Sequence, residues 1–322
     1  MNSILKLFIL GMVVFLISCS QSDQPEIALI PKGTDILFWK SVHAGGVKAG
    51  KELGVKIIWQ GPQKESDREQ QINIVQNFIS RGVDAIVLAP LDETALIRPV
   101  SAAVKRNIPV VIIDSGLKGD DFSSFIATDN FNGGQLAAKK LTEMLGGRGE
   151  VILMRFSEGS NSTATREEGF LAWMRANAPG INLVSTDQNA GVTMELALKT
   201  GQNLLNKFPN ADGVFCPNES TTFGFLRALK TVGKAGKIKL VGFDYTEPIA
   251  AAIRAGELSG VVVQDPFRMG YQGVKTAFAA KNGETVPPRI ETDVIFVTAD
   301  NIEKPEIIAV TSPDISKWLG EE

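Results

Sequence analysis

Two kinds of apolar pattern alternate along this chain. Short β-branched runs such as "AIVL" (85–88) and "VVII" (110–113) are apolar at every position. Longer stretches between them carry apolar residues at helical spacing. In "DREQQINIVQNFISRG", Ile72, Val75, Phe78 and Ile79 fall on one helical face, and Gly82 stands where a C-cap glycine belongs. "EIALI" and "VKIIWQ" flank a helical stretch from Ser41 to Leu53, closed by Gly54. The scheme recurs: "GGQLAAKKLTEMLGG" precedes "EVILMRF", "TTFGFLRALKTVG" precedes "KLVGFD", and "EPIAAAIRAG" precedes "GVVVQD". Strands apolar on both faces, alternating with helices, predict an α/β protein built on parallel sheets. About ten such strands exceed one comfortable sheet, so the pattern predicts two doubly wound sheets. No Pro/Gly/Ser-rich linker separates them, so crossings between the sheets are expected to be short.

The N-terminus reads differently. "MNSILKLFILGMVVFLISC" has one basic residue, Lys6, then an apolar run from Leu7 to Ile17. That run is too short for a comfortable membrane span and suits the apolar region of a signal peptide. It ends in Leu16-Ile17-Ser18-Cys19, which resembles the lipobox of bacterial lipoproteins. The expectation is a lipoprotein signal peptide over 1–18, lipidation of Cys19, and a polar tether over 19–26. Cys216, the other of two cysteines, then has no intramolecular partner, and a disulfide-free fold is expected despite export.

Composition narrows the chemistry. Of 322 residues 44% are hydrophobic and 21% charged, which suits a globular protein with a sizeable core. The net charge of -3 offers no basic surface for nucleic acid. One histidine, His43, leaves little supply for zinc sites or histidine-based triads. No metal, cofactor or catalytic residue is expected.

Open parallel sheets bind ligands beyond the carboxyl ends of their strands. Reading those ends gives Asp114 after "VVII", Asn218 after "VFCP", Asp244 after "LVGF" and Gln264 after "GVVV". Carboxylates accept from hydroxyls, and amides both accept and donate. Phe38 and Trp39, expected in a loop before the first helix, could pack on the C–H face of a sugar ring. Arg166, near the start of a helix in "SNSTATREEGF", could offset the desolvation of two buried carboxylates. Each feature alone has a plainer reading as a turn former, a core aromatic or a surface ion pair.

Their combined order is more specific. From about Ile27 to Val297 the chain resembles the ribose-binding-protein-like periplasmic sugar-binding proteins of ABC importers. The resemblance rests on "FWKSVHAG", "VVIIDSG…FIATDN", "TREEGF", "VFCPNES…FGFLRAL" and "LVGFD…GVVVQD". It implies two similar lobes that close on a ligand about a multi-crossing hinge. One lobe would comprise 27–128 plus 265–295, the other 129–264 plus 296–322. It also implies ligand-binding roles for Phe38, Trp39, Asp114, Arg166, Asn218 and Asp244, with Gln264 at a hinge crossing. Three departures separate the chain from ribose binders. They commonly carry Asn-x-Phe-Phe where this chain has Ile36-Leu37-Phe38-Trp39, and Arg where it has Ser115. Their second-lobe aromatic falls near Ala190, Gly191 or Val192.

The expected function is a monomeric, lipid-anchored, extracytoplasmic receptor that hands a sugar-like ligand to an ABC permease, without turnover. Competing readings are a sugar sensor for a chemotaxis or signalling partner, and a glycoside hydrolase using two carboxylates. A repressor of the same fold would need an N-terminal helix-turn-helix, where this chain has the apolar segment.

Overall fold

The computed structural model describes residues 24–34 and 36–320. The expected signal peptide and Cys19 lie outside the described residues. The chain begins with β1 (Glu26–Ile30), α1 (Leu37–Leu53), β2 (Lys56–Trp59), α2 (Arg68–Arg81), β3 (Ala85–Leu88), α3 (Ile97–Val104), β4 (Val110–Ile113) and β5 (Ser124–Thr128). A second series follows: α4 (Asn130–Met144), β6 (Gly149–Arg155), α5 (Asn161–Asn177), β7 (Ile181–Asn189), α6 (Met194–Lys207), β8 (Gly213–Phe215), α7 (Glu219–Thr231), β9 (Lys239–Phe243), α8 (Glu247–Arg254) and β10 (Gly260–Val263). The C-terminal part adds α9 (Pro266–Lys281), β11 (Arg289–Thr292), β12 (Ile295–Val297), α10 (Pro305–Thr311) and α11 (Ser316–Leu319).

These form two six-stranded sheets of matching order, β2-β1-β3-β4-β5-β11 and β7-β6-β8-β9-β10-β12. All pairings are parallel except that of β12 with β10. In each sheet the chain steps one way to its second strand and then reverses, leaving a topological switch point where ligands bind in open α/β sheets. Apolar clusters cover both faces of each sheet. The continuous apolar strands of the sequence are therefore buried on both sides, and Val110 to Ile113 are fully inaccessible. Burying one such side chain contributes about 1.5–3 kcal/mol.

Strand-level crossings between the lobes occur after β5, after β10 and between β11 and β12. The chain then ends differently from expectation. α10 packs in the second lobe through Ile307, but α11 lies against α1 of the first, with Lys51 Nζ 5.4 Å from the Trp318 ring centre. The end of segment 296–322, expected with the second lobe, thus returns to the first.

Two matched helix pairs brace the lobes: α1 with α9, and α4 with α5. In the second pair a Cβ at Gly134 would stand 1.9 Å from the Arg166 carbonyl oxygen. Only glycine permits this approach, and it fixes the backbone that carries Arg166.

Candidate functional site

Asp114 and Asp244 follow β4 and β9, the fourth strands of their sheets, and occupy equivalent places. Both are left-handed, with φ of 63° and 71°. Each N–H donates to the neighbouring strand, Asp114 to Ile126 O at 2.9 Å and Asp244 to Val262 O at 2.8 Å. A left-handed non-glycine residue is uncommon, and aspartate tolerates it better than most. The backbone turn swings both carboxylates out of the strand direction and into one cavity between the lobes.

That cavity measures about 290 Å³, and all seven side chains singled out in the sequence border it. The site is closed over. Ser162 N donates to Ser115 Oγ at 3.1 Å, and Gly116 N to Asn161 Oδ1 at 3.1 Å. Glu93 N donates to Gly159 O at 2.9 Å, and Asn161 Nδ2 to Glu93 Oε2 at 3.1 Å. Each of these bonds joins one lobe to the other. Ser115, where ribose binders commonly have Arg, therefore serves closure in this chain.

Arg166 sits in the second turn of α5 and is buried. It does not pair with Glu167, which bonds Arg155 instead at 2.9 Å. Arg166 Nε donates to Asn130 Oδ1 at 2.8 Å and Nη1 to Pro217 O at 2.9 Å. Its guanidinium stacks 3.8 Å above the Phe243 ring. Nη2 has no hydrogen-bond partner, although Arg166 is only 2% exposed. A buried unpartnered N–H on a cation is costly and marks where an acceptor belongs. Burial lowers the Arg166 pKa, and the nearby charges of Asp244, Asp114 and Glu65 oppose that shift.

Asp244 is held on both oxygens. Gln264 Nε2 donates to Oδ1 at 2.6 Å, and Glu219 N donates to Oδ2 at 3.2 Å. Burial pushes its pKa up, and Arg166 and Gln264 pull it back. Gln264 also accepts from Thr128 Oγ1 at 2.9 Å, and Thr128 lies 3.3 Å from Thr292 Oγ1. This buried chain runs from β11 and the end of β5 to the carboxylate, so it ties all three crossings to the site.

Lys32 and Glu65 are among the cavity residues that the sequence did not point to. Lys32, two residues past β1, is 6% exposed and pairs with Asp114 Oδ2 at 2.7 Å. Its Nζ also donates across the cleft to Ser162 Oγ at 3.1 Å. Glu65, in the β2–α2 loop, accepts from Trp39 Nε1 at 2.6 Å. Burial raises the Glu65 pKa, opposed by Lys32 and the Trp39 bond.

One expectation changes in detail. Phe38 and Trp39 lie in the first turn of α1, not in a loop. Their rings meet edge to face at 83°, with centres 4.9 Å apart, so they do not form a parallel platform. Asn218 is first of all a helix cap: its Oδ1 accepts from Thr221 N at 3.2 Å, and Nδ2 donates to Ser220 Oγ. Asp265 caps α9 through Arg268 N at 2.9 Å. His43 stacks on Trp59, with ring centres 4.5 Å apart, and Cys216 is a buried free thiol.

Comparison with known proteins agrees with this architecture. A carbohydrate transporter solute binding protein from Agrobacterium radiobacter, solved with D-arabinose, superposes with a TM-score of 0.86 at 35% identity. That match covers 90% of this chain and 99% of the other. An ABC transporter solute binding protein from Agrobacterium vitis, solved with D-fucose, gives 0.84 at 38% identity, covering 88% and 99%. The ribose import binding protein of Haemophilus influenzae is 29% identical over 290 residues, covering 90% of this chain and 96% of its own. The periplasmic binding protein domain family matches residues 27–285, and the chain belongs to that family.

Proposed function

We propose that this protein is the extracytoplasmic solute receptor of an ABC sugar importer, binding a neutral sugar between its lobes and releasing it to the permease. One observation carries the reading. Two carboxylates from equivalent strand ends of the two sheets face one cavity between the lobes, beside a buried arginine with an unpartnered N–H. Carboxylates accept from adjacent hydroxyls, and Arg166 Nη2 donates to a ring or hydroxyl oxygen. Phe38 and Trp39 add apolar ring surface. The relatives named for ribose import, and the neighbours solved with D-arabinose and D-fucose, support the same ligand class.

The charge balance refines the ligand. Five carboxylates (Glu65, Asp114, Glu195, Glu219 and Asp244) border the cavity against three cations, Lys32, Lys64 and Arg166. A phosphorylated sugar would bring more negative charge into a negative chamber. A neutral polyhydroxylated ring would not.

In this reading the receptor is monomeric and its ligand leaves unchanged. Asp114 is neutralised by Lys32, and both Asp244 oxygens accept protein donors, so neither is set apart as a proton donor. The receptor is exported and held at the membrane by lipid on Cys19, a role supported by the Leu16-Ile17-Ser18-Cys19 pattern alone.

The test is a thermal-shift screen of purified protein against pentoses, hexoses, polyols and their phosphates. A ligand at about a hundred times its dissociation constant adds about 2.7 kcal/mol of stability. A shift with a neutral sugar and none with its phosphate is expected. A shift with phosphates alone, or release of product from glycosides, would overturn the reading.

A further inference from the structure

The sugar chamber is not the end of the cleft. A second cavity of about 140 Å³ adjoins it, adding roughly half as much again to the 290 Å³ chamber. The two share walls at Lys32, Glu65, Ser66, Phe156, Ser160 and Val192. Three of the six, Ser66, Ser160 and Val192, are small, so no bulky side chain partitions the space at those points. Beyond them the annex gains Arg68 and Leu91 from the first lobe, and Ser157 and Glu158 from the second.

Three features give the annex the character of a binding site. Its lining comes equally from both lobes, so a group held there contacts both sides of the closed cleft. A contact that joins the lobes lies beside it: Glu93 N donates to Gly159 O at 2.9 Å, and within the first lobe Arg68 pairs with Asp92 at 3.0 Å. A Cβ on Gly159 would meet Asp92 Oδ2 at 2.4 Å, so the loops approach as closely as glycine allows. Finally, the annex combines hydroxyl and charged groups of both signs with three apolar side chains, Leu91, Phe156 and Val192. That mixture suits a neutral hydroxylated group with one apolar face, not an ion and not an alkyl chain.

We propose that the receptor takes a glycoside or disaccharide, with one ring in the chamber bordered by Asp114, Arg166 and Asp244 and the second group in this annex. The inference rests on the sugar-receptor reading, which names only the first ring. Ser157 and Leu91 line the annex and not the chamber, so changes there separate the two subsites.

The experiment titrates purified protein by calorimetry with three probe sets: free D-hexoses and D-pentoses; their methyl glycosides; and maltose, lactose, melibiose and sucrose. The expected result is one glycoside or disaccharide bound at least tenfold more tightly than the free sugar of its first ring. Ser157→Trp, which fills the annex, should remove that advantage and leave the free sugar within twofold. Leu91→Phe should act in the same direction, guarding against a local effect of either substitution. If free sugars bind and every glycoside and disaccharide binds more weakly, the annex inference fails and the sugar-receptor reading stands. The inference also fails if Ser157→Trp leaves the advantage intact. If no probe binds, both fall.

Discussion

Asp244→Asn isolates the charge at the centre of the site. Alanine would be a poorer probe, because residue 244 has φ of 71°. An L-residue without a local hydrogen-bonding group costs about 1–2 kcal/mol in that region. Asparagine tolerates it and keeps the side-chain shape. Its amide oxygen can accept from Glu219 N and its amide nitrogen can donate to Gln264 Oε1 once Gln264 flips, because Thr128 Oγ1 can serve either end of the Gln264 amide. The substitution thus removes charge and little else. Hydrogen bonds to a charged group contribute about 1.5–3 kcal/mol, so affinity should fall about 10- to 150-fold.

Stability of the free protein should move the other way. Burial raises the folded pKa of Asp244 above its unfolded value of about 3.9. The stability this group contributes is therefore fully present below that unfolded value and is lost as pH rises through the folded one. Asp244→Asn abolishes that loss, so the variant should equal or exceed the parent in melting temperature at pH 7. The difference should shrink toward pH 4. Calorimetric titration with the best neutral sugar and melting curves at the two pH values provide the assay. Unchanged affinity, or a variant markedly less stable at pH 7, would refute the placement of a charged Asp244 in the ligand site.

Other perturbations test neighbouring parts. Trp39→Phe strands the Glu65 carboxylate, which now accepts from Nε1 at 2.6 Å. It should weaken sugar binding by about 1–3 kcal/mol in calorimetry. Gly159→Ala places a methyl against Asp92 across the cleft and strains a φ of 87°. Closed-state affinity should fall about tenfold if the clash adds about 1.4 kcal/mol to closure alone, and scattering should show a more open ligand-bound form. Thr128→Val removes the donor to Gln264 and should cost about 1 kcal/mol by chemical denaturation, with a smaller effect on affinity.

Much of this was legible because doubly wound sheets put chemistry at strand ends. Asp114, Asp244 and Gln264 each follow a continuous apolar run, so the position of the run gave the position of the group. Lys32 obeys the same rule after "IALI", but the intervening Pro31 disguised it as a loop residue. Glu65 carries no such signal, because it lies in the eight-residue loop between β2 and α2, whose path depends on α2 docking and on the Trp39 bond. Phe38 and Trp39 read as loop because α1 begins without a capping side chain at Ile36, so nothing local announced the helix. The edge-to-face geometry of the pair and the closure role of Ser115 are tertiary facts. They depend on the facing lobe, which no local pattern describes.

The central claim is that the chamber between the lobes holds a neutral sugar. The most direct test is calorimetric titration of the purified protein with a neutral pentose or hexose and, in parallel, its phosphate. One site per chain is expected for the neutral sugar, with no heat of binding for the phosphate. Binding of the phosphate in preference, or no binding of any neutral sugar or glycoside, would contradict it.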